Sequence, residues 1–466
     1  MTSNISSIHT IFEKQSENKY QIGCTTWEER VKKLKALERA IMHTYKQRII
    51  EAMKDDFNKI EEETILSELF PISQEIKTAI RELSHWTSKH RVPTPLTLFG
   101  SKSYYTYQSK GVCLIISPWN FPFNLTFCPL VSAIAAGNTV IIKPSEITTY
   151  SASLIETIVK SIFDEKEIAV FNGGPEVAQE LLKQPFNHIF FTGSPAIGKI
   201  VMKAAAEHLT SVTLELGGKS PTIIDSTADL DLAAQKVVWG KLVNAGQICI
   251  APDYVLIQEE RQDKFIDACK KQMIALNHDQ SDQTSIVNAK HFSRIKGYLD
   301  DALEKGGKIE TLGSIKNDVN NLAPTIISQI LPNEMDVMTN EIFGPLLPII
   351  PFATIKDAVQ FVQQRETPLS LYIFSKDKGN IDYILNHTRS GGTVVNQVML
   401  HFYNGDLPFG GEGNSGQGRS HGFAGFKEFS VSRSVVKQKF GGVPALLVPP
   451  YPKWKKKMIA LALKYL

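Results

Sequence analysis

The sequence predicts an α/β protein of two packed lobes, and three observations carry that expectation. Short apolar, β-rich runs alternate with helical pattern in two successive sections of the chain, as parallel sheets covered on both faces require. The length, 466 residues, exceeds what one hydrophobic core usually organises. No internal repeat or long linker interrupts the chain, so the lobes are expected to pack with a cleft between them, where sites usually form.

The first hundred residues read as mostly helical, with charged faces over 27–56 and 61–90, and Pro93 and Pro95 end the helical run. Strands are expected at 111–116, 139–142, 168–171, 188–191 and 212–216, with helices between most of them. The stretch 111–142 has no charged residue between Lys110 and Lys143 and is long enough to span a bilayer. Pro118, Asn120, Pro122, Asn124, Pro129 and the Gly137-Asn138 pair interrupt it, and each interruption would leave backbone groups without partners in lipid. It is therefore expected to fold as strand, loop, helix and strand. A second alternating section begins near Gly217, with strands at 221–224, 254–257, 347–350 and 371–374 and a helix over 229–243.

Composition is that of an ordinary globular enzyme, 42% hydrophobic and 21% charged. The net charge of +3 is smaller than the contribution of the five lysines in residues 453–466, so the rest of the chain is slightly acidic. That distribution argues against a nucleic-acid surface and for a local anionic contact at the C-terminus. Cys24, Cys113, Cys128, Cys249 and Cys269 are scattered, with no CxxC pair, so neither a zinc site nor a disulfide framework is expected. The N-terminus lacks the basic start and apolar run of a secretory signal, which points to a reducing cytoplasm.

Several short motifs have the residue types that chemistry needs. Gly411 to Gly416 satisfies GxGxxG, but with no apolar strand before it or amphipathic helix after it, the context of a dinucleotide fingerprint is missing. Gly193 to Lys199 approaches a phosphate loop, yet Ile200 stands where magnesium chemistry wants Ser or Thr. Its setting, a strand followed by a helix from about Ala196 to His208, could present free N–H groups to a phosphate or be a plain turn. Lys143 and Glu146 follow a strand at the edge where open sheets bind ligands; they could hold ribose hydroxyls or sit in a solvated loop.

Ser-Pro-Trp-Asn-Phe-Pro-Phe at 117–123 is a stiff turn with one amide, Asn120, which could serve as a fixed donor to an oxyanion or simply pack its aromatics. Glu215, between leucines at a strand end, is a candidate general base or one half of a buried ion pair with Lys219. Glu341 precedes a Phe-Gly-Pro turn and could be a helix-end cap. Cys249, in Gly-Gln-Ile-Cys just after a helix end, is either a small buried hydrophobe or a nucleophile. No HExxH and no nucleophile-elbow serine competes for that role.

The ordered set Ser-Pro-Trp-Asn-Phe-Pro-Phe, Lys-Pro-Ser-Glu, Phe-Thr-Gly-Ser, Leu-Glu-Leu-Gly-Gly-Lys, Gly-Gln-Ile-Cys, Glu-Ile-Phe-Gly-Pro and Pro-Phe-Gly-Gly resembles the aldehyde dehydrogenase superfamily across nearly the whole chain. Cys-Ile-Ala-Pro-Asp-Tyr at 249–254, the short N-terminus and the basic tail are similar to the class 3 branch, which acts on fatty and aromatic aldehydes. The resemblance implies Cys249 as nucleophile, Asn120 with the Cys249 N–H as oxyanion hole, and Glu215 as general base. It implies adenosine-ribose contacts from Lys143 and Glu146, pyrophosphate contacts from Gly193 and Ser194, and nicotinamide positioning by Glu341 and Phe343, with Trp119 and Gly198 as further cofactor contacts. The implied fold is aldehyde dehydrogenase-like: an NAD(P)-binding domain of Rossmann type over 1–216 with a bridging hairpin near 96–110, and a catalytic domain over 217–404. A return segment over 405–440 and a basic tail over 441–466 complete it, and the small arm builds a homodimer.

The cofactor expected is NAD, because Glu146 near the ribose would repel a 2′-phosphate, and NADP is admitted as well, because enzymes of the class 3 branch it resembles often take both. The glycine-rich segment 410–425 is expected near the substrate entrance. Trp454, Met458, Leu461 and Tyr465 recur at helical spacing while Lys453, Lys457 and Lys464 share another sector, a basic amphipathic helix that could rest on an anionic membrane, dock on the protein or fray. Two other functions stay open: a CoA-acylating relative, against which Glu215 speaks, and a non-catalytic protein on the same fold, against which the presence of Cys249, Glu215 and Asn120 speaks.

Overall fold

The computed structural model describes residues 6–95, 98, 100–276, 283–311, 320–439 and 448–465. The expected hairpin near 96–110 and tail over 441–466 therefore lie partly outside the described residues. Three sheets organise the rest. The first has strands Gly416–Gln417, Ser211–Glu215, His188–Thr192, Val112–Ile116, Thr139–Lys143 and Ile168–Val170 side by side; all pairs are parallel except the one made by Gly416–Gln417. The second runs Lys308–Thr311, Thr325–Ser328, Leu346–Phe352, Tyr254–Gln258, Pro221–Ile224, Ser370–Phe374 and Gly392–Val395, parallel except at its Lys308–Thr311 edge.

These parallel strands are continuous apolar runs because helices cover both faces. Leu114, Ile115, Ile141 and Ile142 in the first sheet, and Ile223, Val255, Leu256 and Ile349 in the second, are fully buried. The uncharged stretch folds as strand, turn, the helix Asn124–Ala136 and a second strand, and the helix is buried along nearly its whole length. Gly137, at φ 82°, closes it in the left-handed conformation that glycine adopts without steric cost.

Helix boundaries shift from the expected ones. The pattern over 61–90 ends at Trp86, and His90–Val92 is a strand. Between Glu61–Thr64 and Phe70–Trp86 lies a widened π turn, Ile65–Leu69, in which Phe70 N bonds to Ile65 O. A helix does follow the glycine segment, Gly422–Glu428, contrary to expectation; it has seven residues and is preceded by the strand Gly416–Gln417, so it forms no dinucleotide fingerprint.

The third sheet is antiparallel: His90–Val92, Ser101–Ser109 and Ser430–Gln438. Ser101–Ser109 pairs with Ser430–Gln438 over nine residues, joining the first quarter of the chain to its last. The basic tail forms the helix Lys453–Tyr465, with Trp454, Met458 and Leu461 exposed. No described helix is long and apolar enough to cross a membrane.

Candidate active site

The helix Leu230–Leu242 carries the chain to the middle of the molecule and ends in a tight turn. Asn244, Ala245 and Gly246 have φ of 51°, 52° and 72°, three left-handed residues in a row, which costs about 1–2 kcal/mol for each non-glycine member. A dense set of hydrogen bonds holds this turn. Asn244 Nδ2 donates to Asn120 O (3.0 Å) and Gln247 O (3.1 Å), and Asn244 N donates to Glu63 Oε1 (2.7 Å). Gln247 Nε2 donates to Asn244 O (2.9 Å) and Ser285 O (3.0 Å), while Gln247 Oε1 accepts from Val287 N (3.0 Å). Gly246 has no room for a side chain, since a Cβ would collide with the Gly344 carbonyl. Cys249 follows, half-buried between buried Ile248 and Ile250.

Asn120 lies against the same turn and donates Nδ2 to Gln247 O (3.0 Å), leaving its second N–H for another acceptor. Its neighbour Trp119 meets Phe343 edge to face at 5.3 Å; Phe343 itself has φ 49°. Glu215 ends a central strand and is buried. Oε1 accepts from Ser420 Oγ at 2.8 Å, and Oε2 has no hydrogen-bond partner among the described residues. Burial raises the Glu215 carboxyl to about 8, with Ser420 and the Arg419 charge opposing. Lys219 does not pair with it as the sequence had allowed, but bonds to Asp253, Val337 O and Asn340 O. Glu341 is also raised to about 8, by burial and then by Asp253; it sits beside Gly217 in a loop, not as a helix cap. Burial pushes the Cys249 thiol well up, and the Glu341 and Glu215 charges add to that.

Trp119, Asn120, Gly193, Ser194, Glu215, Cys249, Glu341 and Phe343 all line one cavity of about 880 Å³. At one wall the helix Pro195–Ala206 begins, capped by Ser194 Oγ. Lys143, Glu146 and Gly198 are not among the lining residues. Lys143 is buried and donates to Pro144 O (2.7 Å) and Glu146 Oε2 (3.1 Å), and burial lowers its pKa. Gly198 faces Leu216, where a Cβ would come within 2.8 Å, so its glycine serves helix–strand packing.

A second, apolar space reaches Cys249 from the other direction. Phe121, Leu125, Trp239, Val243, Met399, Phe402 and Tyr403 line a slot of about 50 Å³, and a neighbouring slot of about 40 Å³ runs from Cys249 past Phe409 and His421 to Ser420. Ser420 and the aromatic wall from Phe402 to Phe409 were not singled out from the sequence. Ser420 lies 205 residues from Glu215, and the pairing of Gly416–Gln417 with Leu214 and Glu215, with Thr213 donating to Glu428, brings that segment close.

A thiol and two buried carboxylates between two α/β lobes, beside a helix start suited to phosphate, define a dinucleotide-dependent oxidoreductase with a cysteine at its centre. Residues 3–435 match the model of the Aldehyde dehydrogenase family. The chain is 40% identical over 411 residues to the rat (Rattus norvegicus) "aldehyde dehydrogenase, dimeric NADP-preferring", covering 87% of this chain and 89% of that one. It is also 40% identical over 427 residues to "aldehyde dehydrogenase family 3 member A2" of Pongo abelii, covering 90% and 87%. The substrate-bound structure of Staphylococcus aureus AldH superposes with a TM-score of 0.93 at 38% identity, covering 98% and 99%. The chain belongs to the aldehyde dehydrogenase family, and among its relatives are family 3 members. It is an NAD(P)-dependent enzyme that oxidises aldehydes.

Proposed function

We propose that this enzyme oxidises apolar aldehydes, medium- or long-chain aliphatic or aromatic, to carboxylic acids through a covalent adduct on Cys249. The observation that carries the reading is the meeting of the two spaces at Cys249: a wide cavity of mixed polar and apolar lining on one side and a slot lined by aromatic and aliphatic side chains on the other. In the slot the aldehyde's apolar chain replaces no charged group. The Cys249 thiol gives up its proton to water, its sulfur adds to the carbonyl carbon, and the resulting oxyanion is met by the free Asn120 N–H and the Cys249 N–H as donors. The residues present fit the dinucleotide. The helix start at Ser194 suits its phosphates, and Glu341, with Oε1 unpartnered among the described residues, suits ribose hydroxyls. NAD or NADP, when bound, supplies the hydride acceptor. Loss of hydride leaves a thioester on Cys249. Glu215 takes a proton from the attacking water, the thioester C–S bond breaks, and acid and thiol are released.

NAD is the preferred cofactor in this reading, with NADP also used, since Glu146 is partly exposed and its charge is held by Lys143. The assay is NADH formation from hexanal, decanal and benzaldehyde, with the products identified in the presence and absence of CoA. Carboxylate in both cases supports the reading, and acyl-CoA overturns it in favour of an acylating enzyme.

The arm of Ser101–Ser109 and Ser430–Gln438 supports a homodimer, as named for the rat relative, with molar mass by light scattering as its test. The exposed Trp454, Met458 and Leu461 beside five lysines support contact with an anionic membrane surface. Equal co-sedimentation with anionic liposomes of the full chain and a chain ending at Val448 would exclude that contact.

A further inference from the structure

One helical segment carries three inward-facing carboxylates, and each accepts a backbone N–H from a different loop of the site. Glu63 Oε1 accepts from Asn244 N (2.7 Å), in the left-handed turn before Cys249. Glu68 Oε2 accepts from Asn124 N (2.7 Å), four residues after Asn120. Glu75 Oε1 accepts from Gly422 N (2.9 Å), two residues after the Ser420 that bonds Glu215. Glu68 and Glu75 are almost fully buried. Asn124 N and Gly422 N stand at the first positions of the helices Asn124–Ala136 and Gly422–Glu428, where N–H groups lack partners inside the helix, and Asn244 N lies in the left-handed turn, outside regular helix. The positive end of the Asn124–Ala136 helix favours the Glu68 carboxylate.

The π turn at Ile65–Leu69 explains how one segment serves all three. It absorbs one residue, so the five-residue step from Glu63 to Glu68 acts like the four-residue step of an ordinary helix, and the seven-residue step to Glu75 completes about two turns. In a helix without the widened turn the five-residue step would rotate Glu68 and Glu75 away from the face Glu63 uses. Two further contacts fix the row. Thr284 Oγ1 donates to Glu63 Oε2 (3.0 Å), and buried Lys59 lies over the Phe121 ring at 4.6 Å, one residue from Asn120.

We infer that Glu63, Glu68 and Glu75 are positioning residues, a row of acceptors that sets the Cys249, Asn120 and Glu215 loops in register with one another. The inference rests on the reaction proposed above. Because each carboxylate serves a different loop, each should affect a different step. Glu63→Ala frees the turn before the nucleophile: the NADH burst slows by roughly tenfold or more while KM for NAD stays within about twofold. Glu75→Ala loosens the Ser420 segment behind the general base: the burst is kept and steady-state turnover slows by a similar factor. Glu63→Gln, which keeps an acceptor oxygen without the charge, restores most of the burst rate, and Glu62→Ala, exposed on the same segment, leaves every rate unchanged.

A second readout needs no cofactor. Iodoacetamide should alkylate Cys249 several-fold faster in Glu63→Ala than in wild type, below the melting temperature of both. Wild-type burst and alkylation rates in Glu63→Ala, or losses in both variants that only track the folded fraction, would overturn the inference. If wild type forms no NADH from any aldehyde, the proposed reaction fails instead, and the alkylation comparison still decides the role of Glu63.

Discussion

The two spaces that meet at Cys249 differ in kind. The cavity on the Gly193 side is wide, about 880 Å³, and mixed, with amides, carboxylates and glycines at sheet and helix ends beside aromatic and aliphatic groups such as Trp119, Leu216 and Phe343. The slot on the Phe402 side is about 50 Å³ and almost wholly apolar, made of side chains packed against one another. A wide surface with fixed donors suits a large dinucleotide, whereas an apolar slot recognises by shape and yields by rotamer changes. In the function proposed above the cofactor takes the first space and the aldehyde's chain the second, whose side chains can be exchanged without disturbing the first.

That contrast can be broken at its meeting point first. Cys249→Ala should abolish NADH formation on either side's terms, by more than about a thousandfold, with the protein still folded by circular dichroism. Glu215→Gln comes next, slowing turnover by roughly 10²- to 10⁴-fold. With its carboxyl raised to about 8 by burial, wild-type Glu215 is protonated at lower pH and cannot accept a proton there. Wild-type kcat is therefore expected to rise with pH through about 8, and the Gln variant's profile to lose that limb; the same rise in both would remove Glu215 from the role. Asn120→Ala is expected to cost roughly 10²-fold in kcat, since one oxyanion donor is lost.

The smaller effects sharpen the difference between the sides. Val243→Phe narrows the slot, and kcat/KM for decanal should fall by about tenfold relative to hexanal with KM for NAD unchanged. Glu146→Gln should raise kcat/KM with NADP by a few-fold only, because that carboxylate is partly exposed and screened. An effect of Val243→Phe on NAD, or of Glu146→Gln on aldehyde preference, would show that the two sides are not separate.

The same division explains what was legible in the sequence. Strands such as Val112–Ile116 and Tyr254–Gln258 announce themselves because burial on both faces demands continuous apolar runs, and Cys249, Asn120 and Glu215 stand in short motifs held by local turns. Residues brought in by tertiary contact leave no such trace. Ser420 is an unremarkable serine until Gly416 pairs with Glu215, and Glu63, Glu68 and Glu75 look like the solvated face of a helix until a π turn points them inward. The strand Ser101–Ser109 is polar and half-buried and Ser430–Gln438 polar and mostly exposed, so their residues alone give a weak β signal.

The nine-residue pairing of Ser101–Ser109 with Ser430–Gln438 has a consequence for how the chain is made. Domains form as the ribosome delivers them, N-terminal parts first. Here the first sheet waits for Gly416–Gln417 and the strand Ser101–Ser109 for Ser430–Gln438, both synthesised long after the strands they join. A nascent chain that has already emerged past Cys249 holds its thiol without the Ser420 contact to Glu215. Glu215 gains its Ser420 partner only after residue 420 has been added, so a ribosome stalled before residue 416 displays the Cys249 thiol beside a Glu215 that lacks that contact.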